Sequence, residues 1–230
     1  MKCVITIMPR YLLTNFQNKT KLSSGFLSLM INRTLREVMD SLTKRDQKEA
    51  NFTRCVPEQT EGHYESYFQR ANHPTRPLAF WIRYTIFSPV KNPEKALGEL
   101  CAVYFDGESS QHVVSKTELP MSRCSFAGEA LDVRIDESIL LPGILQGYAR
   151  SDSNIEWDLR YKNGQEPLFI MPLSYYGKGF PKAKALVGVP LAKYSGTMMV
   201  NGKTVEIDNW VGSQNHNWGS KHTATILGVR

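Results

Sequence analysis

The chain has 230 residues, enough to bury a substantial core as one large or two small domains. Its 41% hydrophobic and 10% aromatic content is that of a soluble globular protein, and no apolar run approaches the ~18 residues of a membrane-spanning helix, so no stable membrane insertion is expected. The net charge of +6 resides in residues 1–36, where Lys2, Arg10, Lys19, Lys21, Arg33 and Arg36 stand without an acid; the body beyond balances, which excludes broad phosphate-backbone binding and hence a nucleic-acid partner.

Residues 1–36 are basic and rich in Ser, Thr and Asn, a composition that suits organelle import or a start placed upstream of the true one; otherwise a cytoplasmic location is expected. The apolar stretch at Tyr11–Leu13 is too short for a secretory signal, which leaves the glycosylation sequons at Asn18, Asn32 and Asn51 with little weight. Ile31, Leu35, Val38, Met39 and Leu42 form one stripe at helical spacing. That predicts a short amphipathic helix within a basic N-terminal extension over residues 1–50.

Beyond Phe52 the pattern becomes that of strands. In "AFWIRYTIF", Phe80, Ile82, Tyr84 and Ile86 alternate with Trp81, Arg83, Thr85 and Phe87. "GELCAVYFDGESSQHVVSKTEL" reads as strand, turn, strand around Asp106-Gly107. "EALDVRI", "GILQGYARSDSNIEWDLRY", an Asn163-Gly164 turn and "EPLFIMPL" continue the series. "YSGTMMVNGKTVEIDNW" is a hairpin, because Asn201-Gly202 supplies the positive φ angles that a two-residue turn demands. About ten short strands imply an all-β protein, an antiparallel barrel or sandwich over residues 51–222.

Cys3, Cys55, Cys101 and Cys124 lack zinc-type spacing. Cys101 reads as a small buried hydrophobe, and a Cys55–Cys124 or Cys101–Cys124 disulfide stays open. His216 and His222, with Asp208, do not converge as a mononuclear metal site requires, so no metal is expected. A glycine-rich phosphate loop and a GxSxG elbow are both missing from the sequence.

The segments "HYESYFQRANHPTRPLAFWIRYTIFSP", "GELCAVYFDGE", "FPKAKALVGVPLAKYSGTMMVNG" and "WVGSQNHNWGSKH" together resemble the lipocalin-like superfamily. It includes carotenoid 1,2-hydratases (hydroxyneurosporene synthases), AttH-like proteins, tocopherol cyclases and some fungal Diels–Alderases. The resemblance covers about residues 57–222 and is most specific at His216-Asn217-Trp218-Gly219. It implies two lipocalin-like β-domains in tandem around an apolar cavity for an isoprenoid-like substrate.

The hydratases also use a later tyrosine and aspartate. These have no counterpart here, so residues 223–230 read as the truncated start of a second β-domain. The chain then reads as the N-terminal half of a cofactor-independent hydratase or cyclase, inactive through truncation or dependent on a missing segment.

Such chemistry needs a proton delivered to an alkene and a shielded carbocation. His216 fits the acid and Trp218 the cation-facing ring, catalytic roles that the resemblance supports. At i and i+2 of a strand they share one side, with Asn215 and Asn217 opposite, placed to orient the histidine or a tight turn. Trp81, Arg83, Tyr84 and Trp157 are candidates for the wall of a substrate cavity, and Asp158 for a carboxylate partner. Each has a structural reading beside it: a packing tryptophan at 218, a hydrogen-bonded histidine at 216, a solvated Asp158. The alternative function is a non-enzymatic lipocalin-type protein that binds a hydrophobic small molecule.

Overall fold

The computed structural model describes Glu37 and residues 49–56, 58–162 and 165–220. The amphipathic helix expected before residue 50 lies outside the described residues apart from Glu37 and Glu49. The Asn163-Gly164 turn, His222 and residues 223–230 lie outside them too. All described strands belong to one unit, Gln47–Arg230.

Alternation of apolar and polar side chains builds twelve described strands: β1 (His63–Asn72), β2 (Leu78–Ser88), β3 (Leu97–Asp106), β4 (Gln111–Pro120), β5 (Cys124–Phe126), β6 (Val133–Ile135), β7 (Ser138–Leu141), β8 (Ile144–Arg150), β9 (Asn154–Lys162), β10 (Leu168–Phe169), β11 (Ala183–Val200) and β12 (Lys203–Gly219). They form one sheet in the order β4-β3-β2-β1-β12-β11-β9-β8-β7-β6-β5, with β10 paired to β11. Every pairing is antiparallel.

The sheet curls into a nearly closed barrel. Side chains of β4 reach the β8–β9 turn: Ser115 Oγ donates to the Ser153 carbonyl at 2.8 Å, and the Arg150 amide donates to Thr117 Oγ1 at 2.9 Å. These bonds satisfy groups that an open sheet edge would leave to solvent. Among the described residues no helix is long and apolar enough to cross a membrane.

The inner face is the apolar core. Phe80, Ile82, Tyr84 and Ile86 are all buried, as their alternation predicts; Thr85, on the opposite face, is buried as well and its Oγ1 lies 3.3 Å from Ser66 Oγ. Asn201 and Gly202 have φ of 49° and 82°, so the β11–β12 turn has the predicted left-handed pair. Cys55, Cys101 and Cys124 are free thiols, so neither disulfide left open by the sequence is formed. Cys101 is half-buried on β3, not in the core.

Candidate functional site

One end of the barrel carries the conspicuous polar cluster of the sequence. β1 and β12 pair Tyr67 with His216 and Glu65 with Trp218, so all four side chains share the inner face. Asn215 and Asn217 face the other way: Asn215 Nδ2 donates to Ser213 Oγ at 2.8 Å, and Asn217 Nδ2 to Tyr64 Oη at 2.6 Å.

His216 is fully buried. Its Nδ1 lies 2.8 Å from the Ala50 carbonyl oxygen and its Nε2 lies 2.8 Å from Glu65 Oε1. A carbonyl and a carboxylate only accept, so the ring that satisfies both carries a proton on each nitrogen. Tyr67 stacks on it with centroids 4.3 Å apart and an interplanar angle of 11°, and Trp218 lies at 4.6 Å and 33° on the same ring. The Arg54 guanidinium stands 5.3 Å from the Trp218 ring centroid.

Glu65, which the sequence did not single out, is the hub. Its Oε1 accepts from the Arg54 amide (2.8 Å), Tyr67 Oη (3.1 Å) and His216. Its Oε2 accepts from the Cys55 amide (2.8 Å), Thr53 Oγ1 (3.0 Å) and His63 Nε2 (2.9 Å). Burial alone would raise the Glu65 carboxyl pKa. The bonds from His216 and His63, the charge of His216 and the Arg54 amide outweigh it, and hold the carboxyl well below the usual carboxylate range. The same burial and the Glu65 charge push the Cys55 thiol up to about 11.

Residues 50–55 therefore cover this end of the barrel, bonded to the inner face through Glu65 and His216. The only sequence signal for the hub is the polar alternation His63, Glu65, Tyr67, Gln69 along β1, where an inward strand face should be apolar.

Among the described residues the opposite end is open. A cavity of about 600 Å³ lies there, with Trp210, Tyr104, Leu78 and Val200 as its buried floor and Val113 and Val205 half-buried in its wall. Trp210 is 1% exposed, stacks at 6.1 Å on Phe80, and receives the His73 ring edge-on at 5.4 Å. The polar rim includes Arg76, Asp106, Glu108, Lys203 and Glu206.

Of the residues nominated from sequence, the structure brings together His216 and Trp218, with Asn215 and Asn217 on the reverse of the same strand. The others lie elsewhere. Tyr84 and Trp157 sit in the core, where Trp157 Nε1 donates to Tyr84 Oη at 3.2 Å. Trp81 and Arg83 are on the outer face, the guanidinium 5.1 Å from the indole centroid and paired to Glu99. Asp158 is exposed and bonded at 2.8 Å to Arg160 Nη1 and to Gln146 Nε2. A shallow cleft of about 210 Å³ touches Trp157 and Asp158. Among the described residues no group of three or more His, Cys, Asp or Glu is arranged to hold a metal ion.

No family model and no curated protein matches the chain. Among solved structures it is similar to the crystal structure of a candidate AttH protein from Nitrosomonas europaea, with a TM-score of 0.51 and 14% identity over 71% of this chain and 53% of that one. The chain thus spans about half the length of that protein. The likeness is one of fold: an all-β, AttH-like barrel, of the kind that the resemblance read from sequence implies.

Proposed function

We propose that this barrel binds a hydrophobic, isoprenoid-like small molecule in its open mouth, as a non-enzymatic lipophile-binding protein. The observation that carries the reading is the roughly 600 Å³ cavity floored by Trp210, Tyr104, Leu78 and Val200. The cavity joins this apolar floor to a polar rim, and the mouths of barrels are a common location for small-molecule sites.

A second reading has one observation in its favour. His216, donating from both nitrogens between the Tyr67 and Trp218 rings, is an acid beside aromatic faces that stabilise a carbocation. In that reading the chain supplies half of a cofactor-independent hydratase or cyclase that protonates an isoprenoid alkene, and residues 50–55 withdraw to admit it.

One experiment separates the two. The purified chain is titrated with farnesol in D2O, following tryptophan fluorescence and then deuterium in the recovered lipid. Saturable quenching without deuterium, lost in Val205→Asp, supports the binding protein. Deuterium at carbon that disappears in His216→Phe supports the enzyme. Absence of any saturable signal overturns both.

A further inference from the structure

His73, the residue that follows β1, has an unusual constraint on its ring. Its Nδ1 accepts from two backbone amides, Thr75 N–H and Arg76 N–H, each at 3.1 Å. Two donors converging on one ring atom demand a lone pair there, so the neutral ring carries its proton on Nε2. The ring is held further by its edge-on contact with Trp210, and it lines the mouth cavity. A fixed N–H donor beside an aromatic floor matches the design of a lipophile site with one orienting polar group.

The charges around the cavity narrow the ligand further. Arg76 is taken by Glu108 in a two-pronged pair, Nε to Oε1 at 2.8 Å and Nη2 to Oε2 at 2.6 Å. Asp106 accepts the Glu108 and Ser109 amides at 3.0 and 3.1 Å, and these bonds favour its ionised form. Beyond that pair, the charged residues lining the cavity among the described residues are Asp106, Glu206 and Lys203. The rim is therefore net negative and disfavours an anion.

We infer that His73 is the polar anchor of the mouth, and that the ligand is a neutral, oxygen-bearing apolar molecule (an alcohol, ketone or ester). Its oxygen accepts the Nε2 proton while its hydrocarbon body lies against Trp210. The inference rests on the mouth being the binding site.

The test is a matched series of dodecane, dodecan-1-ol, dodecan-2-one and dodecanoate, titrated into the full chain by equilibrium dialysis. The ketone and the alcohol bind roughly fivefold to tenfold more tightly than dodecane, the worth of one net hydrogen bond, and dodecanoate binds more weakly than either. In His73→Asn, Oδ1 still accepts the Thr75 and Arg76 amides while the remaining Nδ2 donor stops short of the Nε2 position, and the ketone loses most of its advantage over dodecane. Equal binding of ketone and dodecane by the native chain overturns the anchor while leaving the mouth as a site. Preference for dodecanoate overturns the neutral ligand. Failure of all four to bind overturns the site and, with it, this inference. The native series needs no variant, so a His73→Asn chain that does not fold leaves the test intact.

Discussion

Glu65→Gln is the sharpest perturbation of the closed end, because it keeps shape and removes charge. The side chain is fully buried and accepts on both oxygens. Hydroxyls at Thr53 and Tyr67 can rotate away, and a histidine can shed a proton. The Arg54 and Cys55 amides, each 2.8 Å from a different oxygen, can do neither. With the glutamine oxygen at the Oε2 position both amides keep an acceptor, Arg54 through its 3.0 Å bond, but the NH2 group then faces the His216 Nε2–H, which is orphaned. Turned the other way, the NH2 group meets the Cys55 amide, and in both cases His216 loses its counter-charge. An orphaned buried donor costs about 1–3 kcal/mol, and breaking a buried ion pair from one side costs about 3–5 kcal/mol.

The two costs describe overlapping damage, so the expected loss is about 3–5 kcal/mol in all. For a domain of this size that lowers Tm on the order of 10 °C. Urea and thermal unfolding measure it, and limited proteolysis should find residues 50–55 newly accessible. Because the folded carboxyl pKa is lowered, its contribution is complete above the ordinary glutamate value of about 4.3 and is lost as pH falls through the folded value. The stability difference between native and Glu65→Gln should therefore shrink in acid. A variant within about 1 kcal/mol of native at neutral pH, with residues 50–55 still protected, would refute the hub.

Gly212→Ala places a Cβ 1.7 Å from the Arg70 carbonyl oxygen, where β12 passes β1. Backbone must move, at about 1–3 kcal/mol or more by urea unfolding, whereas Gly128→Ala, with nothing within 4 Å of its Cβ, stays within about 0.5 kcal/mol. Cys55, with its thiol pushed from 9.0 up to about 11, should react with iodoacetamide at pH 8 tens of times more slowly than a free cysteine. Equal rates would contradict the burial of the thiol and the Glu65 charge beside it.

Much of the barrel is written in local pattern. The Phe80–Ile86 alternation and the Asn201-Gly202 turn each follow from neighbours along the chain, and both are found as read. Thr85 is buried on the opposite face, where it stands across the β1–β2 ladder from Ser66 with the two hydroxyls 3.3 Å apart. His216 and Trp218 share a side because strand geometry allows nothing else.

The partners of that pair were not legible. Glu65 lies 151 positions before His216, and the acceptor on its other nitrogen is the backbone carbonyl of Ala50, which no side-chain pattern announces. Tyr84 and Trp157 show the converse. Large amphipathic side chains look like a cavity wall in sequence, yet here they spend their polar atoms on each other and on the Ile139 and Gln146 carbonyls.

β12 also decides whether the two ends of the barrel can serve one ligand. Trp210, Gln214, His216 and Trp218 are all buried along it, and the β1–β12 register runs without a shift from Val211 to Gly219. At about 3.3 Å per residue, the six steps from Trp210 to His216 span about 20 Å. Packed core side chains occupy the stretch between, with Tyr67, Gln69 and Tyr194 buried there. A molecule held in the mouth therefore does not touch His216. A proton from His216 reaches a ligand only by way of the end that residues 50–55 now cover. The carrier and the enzyme readings consequently use opposite ends of one strand, and Val205→Asp and Glu65→Gln should separate them: the first abolishes mouth binding with the closed end intact, the second opens the closed end with mouth affinity unchanged.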